Sequence, residues 1–295
     1  MQKGRASRTA QHNAVFRTVE SALPARERLF EDVMAKRFLT WPLSAVRPLC
    51  GLPGGAQLAC CVIDRRWPGV RTSVAARTKL IDDTLDAFND EQLGQLVVLG
   101  SGFDTRPYRL ARLRSVPVFE VDHPDTQAAK RAVLERVLKN AYDNVTFVAI
   151  DFAVDSLEDS MARSGYSPNR PTVILWEGVT NYLSPQAFFS TLDWCAQAAP
   201  HSKLLFTYVH ADVLRSPESY AGAHQLHTTL DKAGEQFTFG MDPPDLKNHL
   251  AARAMQLEWD LGCADYRERY YGVRAARMVG HEFYRVALVR IEGRH

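Results

Sequence analysis

Residues 95–105 read QLVVLGSGFDT: four consecutive aliphatic residues, Leu96 to Leu99, run straight into the turn Gly100-Ser101-Gly102. An unbroken aliphatic run of this length suits a strand covered on both faces, because a strand with one wet face alternates apolar and polar residues. The same texture recurs in VPVFEV (116–121), VTFVAI (145–150), TVILW (172–176) and KLLFTYV (203–209). Between these runs, 124–139 and 185–199 carry apolar residues at helical spacing. Strand, helix and strand in that rhythm predict a parallel sheet with helices on both faces. Two further strand candidates, LEWDLG (257–262) and FYRVALVRI (283–291), close the chain as an antiparallel pair around an Arg- and Tyr-rich loop. The expected architecture is α/β: a doubly wound, mostly parallel seven-stranded sheet.

Upstream of residue 95 the periods are helical only. Residues 11–40 read as two amphipathic helices separated by Pro24, 42–55 as a loop rich in proline and glycine, and 57–66 and 73–89 as further helices. Ser73 is the expected N-cap of the last. The predicted organisation is a disordered stretch 1–10, an N-terminal helical cap 11–90 and a sheet domain 91–295 that carries a polar lid insertion at about 210–255. A helical stretch is expected at 245–255.

The chain has 295 residues and a formal net charge of +2, with 36 Lys+Arg against 34 Asp+Glu. Such balance offers no basic face for a nucleic acid backbone, and no nucleic-acid partner is expected. No apolar run reaches the roughly 18 residues of a membrane span, so no membrane role is expected. The five cysteines are scattered without a CxxC pair, which fits a reduced, cytoplasmic protein without a structural metal.

In an open parallel sheet the ligand crevice lies beyond the carboxyl ends of the strands. After the first strand, Gly100 and Gly102 permit a tight turn and close approach of a nucleotide. The third glycine of a dinucleotide fingerprint would fall at position 105, which is Thr, and this counts against NAD or FAD. The second strand ends at Asp122, twenty residues beyond Gly102, where a nucleoside-binding sheet presents a carboxylate to ribose hydroxyls. Glu120 shares that face of the strand. Asp151-Phe152 follows the third strand, suited to an adenine amino group and ring, and Glu177 with Tyr182 follows the fourth. Several carboxylates without a phosphate-binding lysine loop suit a cationic nucleoside lacking phosphates, a description that fits S-adenosyl-L-methionine.

The run LGSGFDTRPYRL with FEVDHP, AIDF and LWEGVTNYLSP resembles the leucine carboxyl methyltransferase family of S-adenosylmethionine-dependent enzymes, which includes bacterial members acting on small-molecule and polyketide carboxylates. The resemblance covers about residues 73–210. It implies a Rossmann-like methyltransferase fold and a cofactor site to which Arg77 and Lys79 of the cap element Arg77-Thr78-Lys79, Gly100, Gly102, Asp104, Arg106, Glu120, Asp122, Asp151, Phe152 and Glu177 contribute. Arg77 would pair with the cofactor carboxylate, Asp122 with the ribose, Asp151 and Phe152 with the adenine and Glu177 with the ammonium, while Tyr182 falls near the methyl group. The product would be S-adenosyl-L-homocysteine.

The implied reaction is O-methylation by direct in-line transfer to a small acidic substrate. A carboxylate acceptor is ionised at neutral pH and needs no base. A phenol or alcohol acceptor would need one, and His210, directly after the fifth strand, is the candidate. Methylation of a protein C-terminal carboxylate is the other alternative, and the oligomeric state is left open. His224 and His227 with His210 and Asp212 invite a metal reading, but a polar lid is preferred there. The run 266–274, YRERYYGVR, is expected as a loop covering the pocket or recognising an acidic substrate.

Overall fold

The computed structural model describes residues 8–139, 142–151 and 155–293. The helices in chain order are α1 (Arg8–Ala22), α2 (Val46–Cys50), α3 (Gly55–Arg66), α4 (Val70–Ala87), α5 (Arg106–Arg109), α6 (Pro124–Leu138), α7 (Leu157–Arg163), α8 (Pro185–Cys195), α9 (Asp212–Arg215), α10 (Ala223–Ala233), α11 (Pro243–Ala251) and α12 (Cys263–Tyr271). The strands are β1 (Gln95–Leu99), β2 (Val118–Asp122), β3 (Val145–Ala149), β4 (Thr172–Trp176), β5 (Lys203–Val209), β6 (Met255–Gly262) and β7 (Tyr284–Ile291). They form one seven-stranded sheet in the order β3-β2-β1-β4-β5-β7-β6. The first five strands are mutually parallel, and β7 runs antiparallel to both of its neighbours. No described helix is long and apolar enough to cross a membrane.

Every residue of β1, β4 and β5 is buried, as their unbroken apolar runs require. Successive side chains of a strand leave on opposite faces. Val97, Leu99, Ile174 and Trp176 therefore meet Phe188 and Leu192 of α8 on one side, while Leu96, Val98, Val173 and Leu175 meet α4 and α12 on the other. Leu80, Ile81 and Leu85 give α4 its apolar seam, each essentially inaccessible to water. Each such side chain contributes about 1.5–3 kcal/mol of burial. By packing, α4 thus belongs to the layer on the sheet, whereas α1 and α3 build separate clusters around Phe16, Ile63 and Val74 and around Ala14, Phe38 and Phe103.

Four local expectations need correction. Residues 25–40 hold a turn and a short 3-10 helix at Ala35–Phe38 in place of a second amphipathic helix. Asp32 explains why: one carboxylate oxygen accepts from the backbone of Met34 and Ala35, and the other from Arg17 and Thr105. The second correction is at the start of α4, which is set by Gly69 in a left-handed conformation. Ser73 lies one turn inside and donates back to the Gly69 carbonyl at 2.7 Å. Third, the Arg- and Tyr-rich run is α12, not a loop: Cys263, Tyr266 and Tyr271 are buried at near-helical spacing, against α4. Finally, the polar 210–245 stretch contains α9 and α10 where a lid loop was expected.

Candidate functional site

Strand order reverses at β1, whose neighbours are β2 and β4, so a crevice opens beyond the carboxyl ends of these strands. Its floor is the turn after β1, where Gly100 (φ +65°) and Gly102 (φ +44°) adopt left-handed backbone. A Cβ on Gly100 would stand 2.3 Å from Cγ2 of Val179, so glycine is required there by backbone angle and by space. Asp122 ends β2 and faces this turn. Its carboxylate accepts hydrogen bonds from the backbone N–H of Gly102 and, at 2.6 Å, of His123. Burial raises its carboxyl above the usual range despite these donors.

Glu120 is turned to a different task. It is fully buried, with Nζ of Lys130 from α6 at 2.8 Å. Burial pushes its carboxyl up to about 7, with Lys130 pulling the other way. A carboxylate enclosed in this way does not present itself to a ligand hydroxyl, which corrects its expected role. Asp151, after β3, is part-exposed and lies 3.8 Å from Nε2 of His123. Phe152 lies outside the described residues.

Beyond β4 the charges converge. Glu177 receives Nε of Arg77 on one oxygen at 2.8 Å and Nη1 of Arg106 on the other at 2.7 Å. Arg106 also reaches Asp82 and Asp104, each at 2.7 Å. Asp82 in turn pairs with Arg109 at 2.7 Å. Burial opposes ionisation of Glu177 and Asp104, yet the surrounding guanidiniums outweigh it and hold both carboxyls below their ordinary range. Arg77, Asp104, Arg106 and Glu177 are thus brought together in one network. Lys79 is not: it pairs with Asp83 one turn along α4 and lies 5.9 Å from the ring centre of Tyr270. Two residues along a helix turn a side chain by about 200°, so Arg77 and Lys79 face different neighbours.

Next to Arg77 and Gly178 lies a cavity of about 130 Å³. Its apolar wall includes Phe16 of α1, Ile63 of α3, Trp67, Val74 of α4 and Leu226 of α10, and Tyr182, His281 and Tyr284 supply polar groups. Trp67 Nε1 donates to Thr229 at 3.2 Å, tying α10 to the helical side of the cavity. Thr9 on α1 donates to Glu235, just past α10. Tyr182 sits edge-on to Phe237 at 5.5 Å, and burial raises its hydroxyl above the usual range.

His210 is not part of this wall. Its Nδ1 accepts from the backbone of Asp212 at 3.2 Å and lies 3.3 Å from carboxylate oxygens of both Asp212 and Asp242. Arg215 donates to the same two carboxylates. These three side chains are close enough for a cation, and Arg215 already supplies one. His224 and His227 lie apart from them on α10.

Apart from Arg77 and Tyr182, the sequence reading missed the cavity residues. Phe16, Ile63, Trp67 and Val74 read as amphipathic core positions, because a helix face turned to an internal cavity has the same period as one turned to a packed core. Tyr284 opens β7 and His281 lies just before it, neither of them within a motif.

A family model described as leucine carboxyl methyltransferase matches residues 10–196. The chain is 32% identical over 198 residues to a Parafrankia sp. (strain EAN1pec) protein, and the match spans 67% of this chain and 61% of that one. It is 38% identical over 145 residues to a Mycolicibacterium gilvum (strain PYR-GCK) protein, with 48% of each chain covered. Both relatives are named, by inference, as S-adenosyl-L-methionine-dependent methyltransferases. The chain therefore spans about half to six tenths of the length of these relatives. A solved structure from Thermobifida fusca YX, described by inference as a methyltransferase, superposes with a TM-score of 0.58 at 16% identity over 99% of this chain and 97% of that one, a likeness of fold.

Proposed function

Because the chain belongs to the leucine carboxyl methyltransferase family, we propose that it is an S-adenosyl-L-methionine-dependent O-methyltransferase acting on the carboxylate of a small molecule. The observation that carries the reading is the placement of Glu177 between Arg77 and Arg106, next to an apolar cavity that Arg77 and Gly178 line. An amino acid end carries one carboxylate and one ammonium, and Arg77 with Glu177 offers the matching pair of opposite charges. Arg106, braced by Asp82 and Asp104, fixes Glu177 from the side away from Arg77. Asp122 offers acceptor oxygens to ribose hydroxyls and is held at the left-handed turn by the Gly102 N–H.

When bound, the cofactor supplies an electrophilic methyl group on a cationic sulfur. What the chain adds is alignment and exclusion of water. The apolar wall strips solvent from an acceptor carboxylate that is already ionised, so no proton need be moved, and it holds the acceptor on the Tyr182 side of Arg77. Near-attack alignment of this kind removes a large part of the barrier in transfer reactions.

Calorimetric titration with S-adenosylmethionine, S-adenosylhomocysteine and NAD tests the cofactor assignment: the first two are expected to bind and NAD not to. Methyl-labelled cofactor then tests the acceptor. A carboxyl methyl ester releases its label as volatile methanol in mild alkali, whereas an ether retains it. Retention of the label would reject the carboxylate reading, and NAD binding without a response to S-adenosylhomocysteine would reject the whole of it.

A further inference from the structure

Four of the seven large apolar side chains that stand exposed among the described residues, Trp41, Leu52, Leu58 and Val62, fall between residues 41 and 62. Two of them are on α3, whose inner face is already committed: Ala56, Ala59 and Ile63 are buried there, and Ile63 lines the cavity. Gln57 and Asp64 occupy one flank of the helix, where Gln57 donates to Glu27 at 3.2 Å and Asp64 accepts from Arg71 at 2.6 Å. The outer face is left to Leu58, Cys61, Val62 and Arg65, all exposed. At about 100° per residue these four fall within about 100° of the helix circumference, and Arg66 borders them. Leu52 stands exposed in the turn that leads into α3, where its carbonyl accepts from the backbone of Gly55 at 2.9 Å.

The charge around this stripe has one sign. Arg65 and Arg66 close α3, both exposed and neither in an ion pair among the described residues. The guanidinium of Arg66 lies 5.1 Å from the ring centre of Trp67. The outer face carries no carboxylate. Lys36, Arg37 and Arg47 are exposed elsewhere on the same helical cap, while Glu31 already pairs with Arg28. A helix with an apolar stripe and arginines beside it suits the boundary between lipid headgroups and acyl chains, where an anionic surface answers the arginines. A second copy fits less well. A two-fold contact sets the stripe against itself and crowds its guanidiniums with no acid on that face to balance them.

We propose that the outer face of α3 docks on an anionic lipid bilayer, with Leu58 and Val62 entering the headgroup boundary and Arg65 and Arg66 meeting lipid phosphates. No described helix is long and apolar enough to cross a membrane, but lying on one requires only a face. The docking surface is separate from Arg77, Glu177 and the crevice, and it stands or falls apart from the methyltransferase reading.

Flotation of the full chain with vesicles tests the proposal, using phosphatidylcholine alone and phosphatidylcholine mixed with phosphatidylglycerol. Partition onto the mixed vesicles is expected to exceed that onto phosphatidylcholine by tenfold or more at low salt and to fall steeply in 0.5 M sodium chloride, a condition set by the short screening length at about that ionic strength. Each arginine near an anionic surface strengthens partition about fivefold, so Arg65→Gln with Arg66→Gln should bring the mixed vesicles down by tenfold or more. Leu58→Gln with Val62→Gln should lose a similar factor on the same vesicles. All four positions are exposed and glutamine is a good helix former, so calorimetry with S-adenosylhomocysteine should give wild-type affinity for both double variants. Absence of flotation with the mixed vesicles, equal partition onto the two compositions, or partition that survives Leu58→Gln with Val62→Gln would each overturn the proposal. Sedimentation showing a dimer that the same double variant dissociates would overturn it in favour of a second copy.

Discussion

Nε of Arg77 lies 2.8 Å from Oε1 of Glu177, and this contact joins the middle of α4 to the end of β4 across a hundred residues of sequence. Both side chains are largely buried; Glu177 is the charge that compensates Arg77, while Arg77 shares with Arg106 the compensation of Glu177. A ligand with an amino acid end can replace either partner without leaving a bare charge.

Arg77→Ala is accordingly expected to weaken S-adenosylhomocysteine binding by more than tenfold, because a charge-assisted hydrogen bond is worth about 1.5–3 kcal/mol. Arg77→Lys should recover little, since an ammonium lacks the planar fork that engages a carboxylate in two places. Asp122→Ala is expected to lose affinity by a similar factor. Titration calorimetry checks all three, and unchanged affinity in both alanine variants would remove the cofactor from this crevice.

Arg106 carries a different burden. It touches Asp82, Asp104 and Glu177 while only 3% exposed. Arg106→Ala would leave these buried carboxylates short of a cation, and breaking such a network costs about 3–5 kcal/mol. Urea unfolding at neutral pH should show a loss of that size. The variant should also bind cofactor poorly, since Glu177 would lose the brace that orients it.

The contrast between these residues shows what a sequence can disclose. Gly100, Gly102, Asp122 and Glu177 were legible as candidates because each stands at or just past the end of a strand, and a run such as Leu96 to Leu99 fixes where its strand must end. Glu120 was misplaced because alternation specifies the face of β2 but not what covers it, and only the fold brings Lys130 against it. Lys79 followed Arg77 in a motif, yet two residues along a helix separate their directions. The run 266–274 concealed its helical spacing under charge, and the cavity itself is assembled from α1, α3, α4, α10 and β7, a juxtaposition that no local window contains.

His281 gives the chain a pH dependence whose sign can be worked out. Burial lowers its folded pKa to about 4, below the ordinary 6.5 of histidine. Between these values the unfolded chain binds more protons, so stability is present above about pH 6.5 and is lost as the pH falls toward 4. By linkage the loss at pH 5 relative to pH 7 is about 2 kcal/mol. His281→Phe cannot show this component. Measured by urea unfolding, its stability relative to wild type should improve by about that amount between pH 7 and pH 5, and a pH-independent difference would mean that His281 titrates normally.

His210 supplies the last discrimination, between an acceptor that is already ionised and one that must be deprotonated. Its ring nitrogen is engaged by the backbone of Asp212 and flanked by Asp212 and Asp242, away from the cavity that Arg77 and Tyr182 line. A general base must come within hydrogen-bond reach of the proton it takes, directly or through one water. Steady-state assays of His210→Ala should therefore show methyl transfer within about threefold of wild type, since general-base assistance is worth about a hundredfold or more where it operates. A hundredfold fall in kcat at normal cofactor affinity would place His210 at the reacting oxygen and turn the assignment from a carboxylate to a phenol or alcohol acceptor.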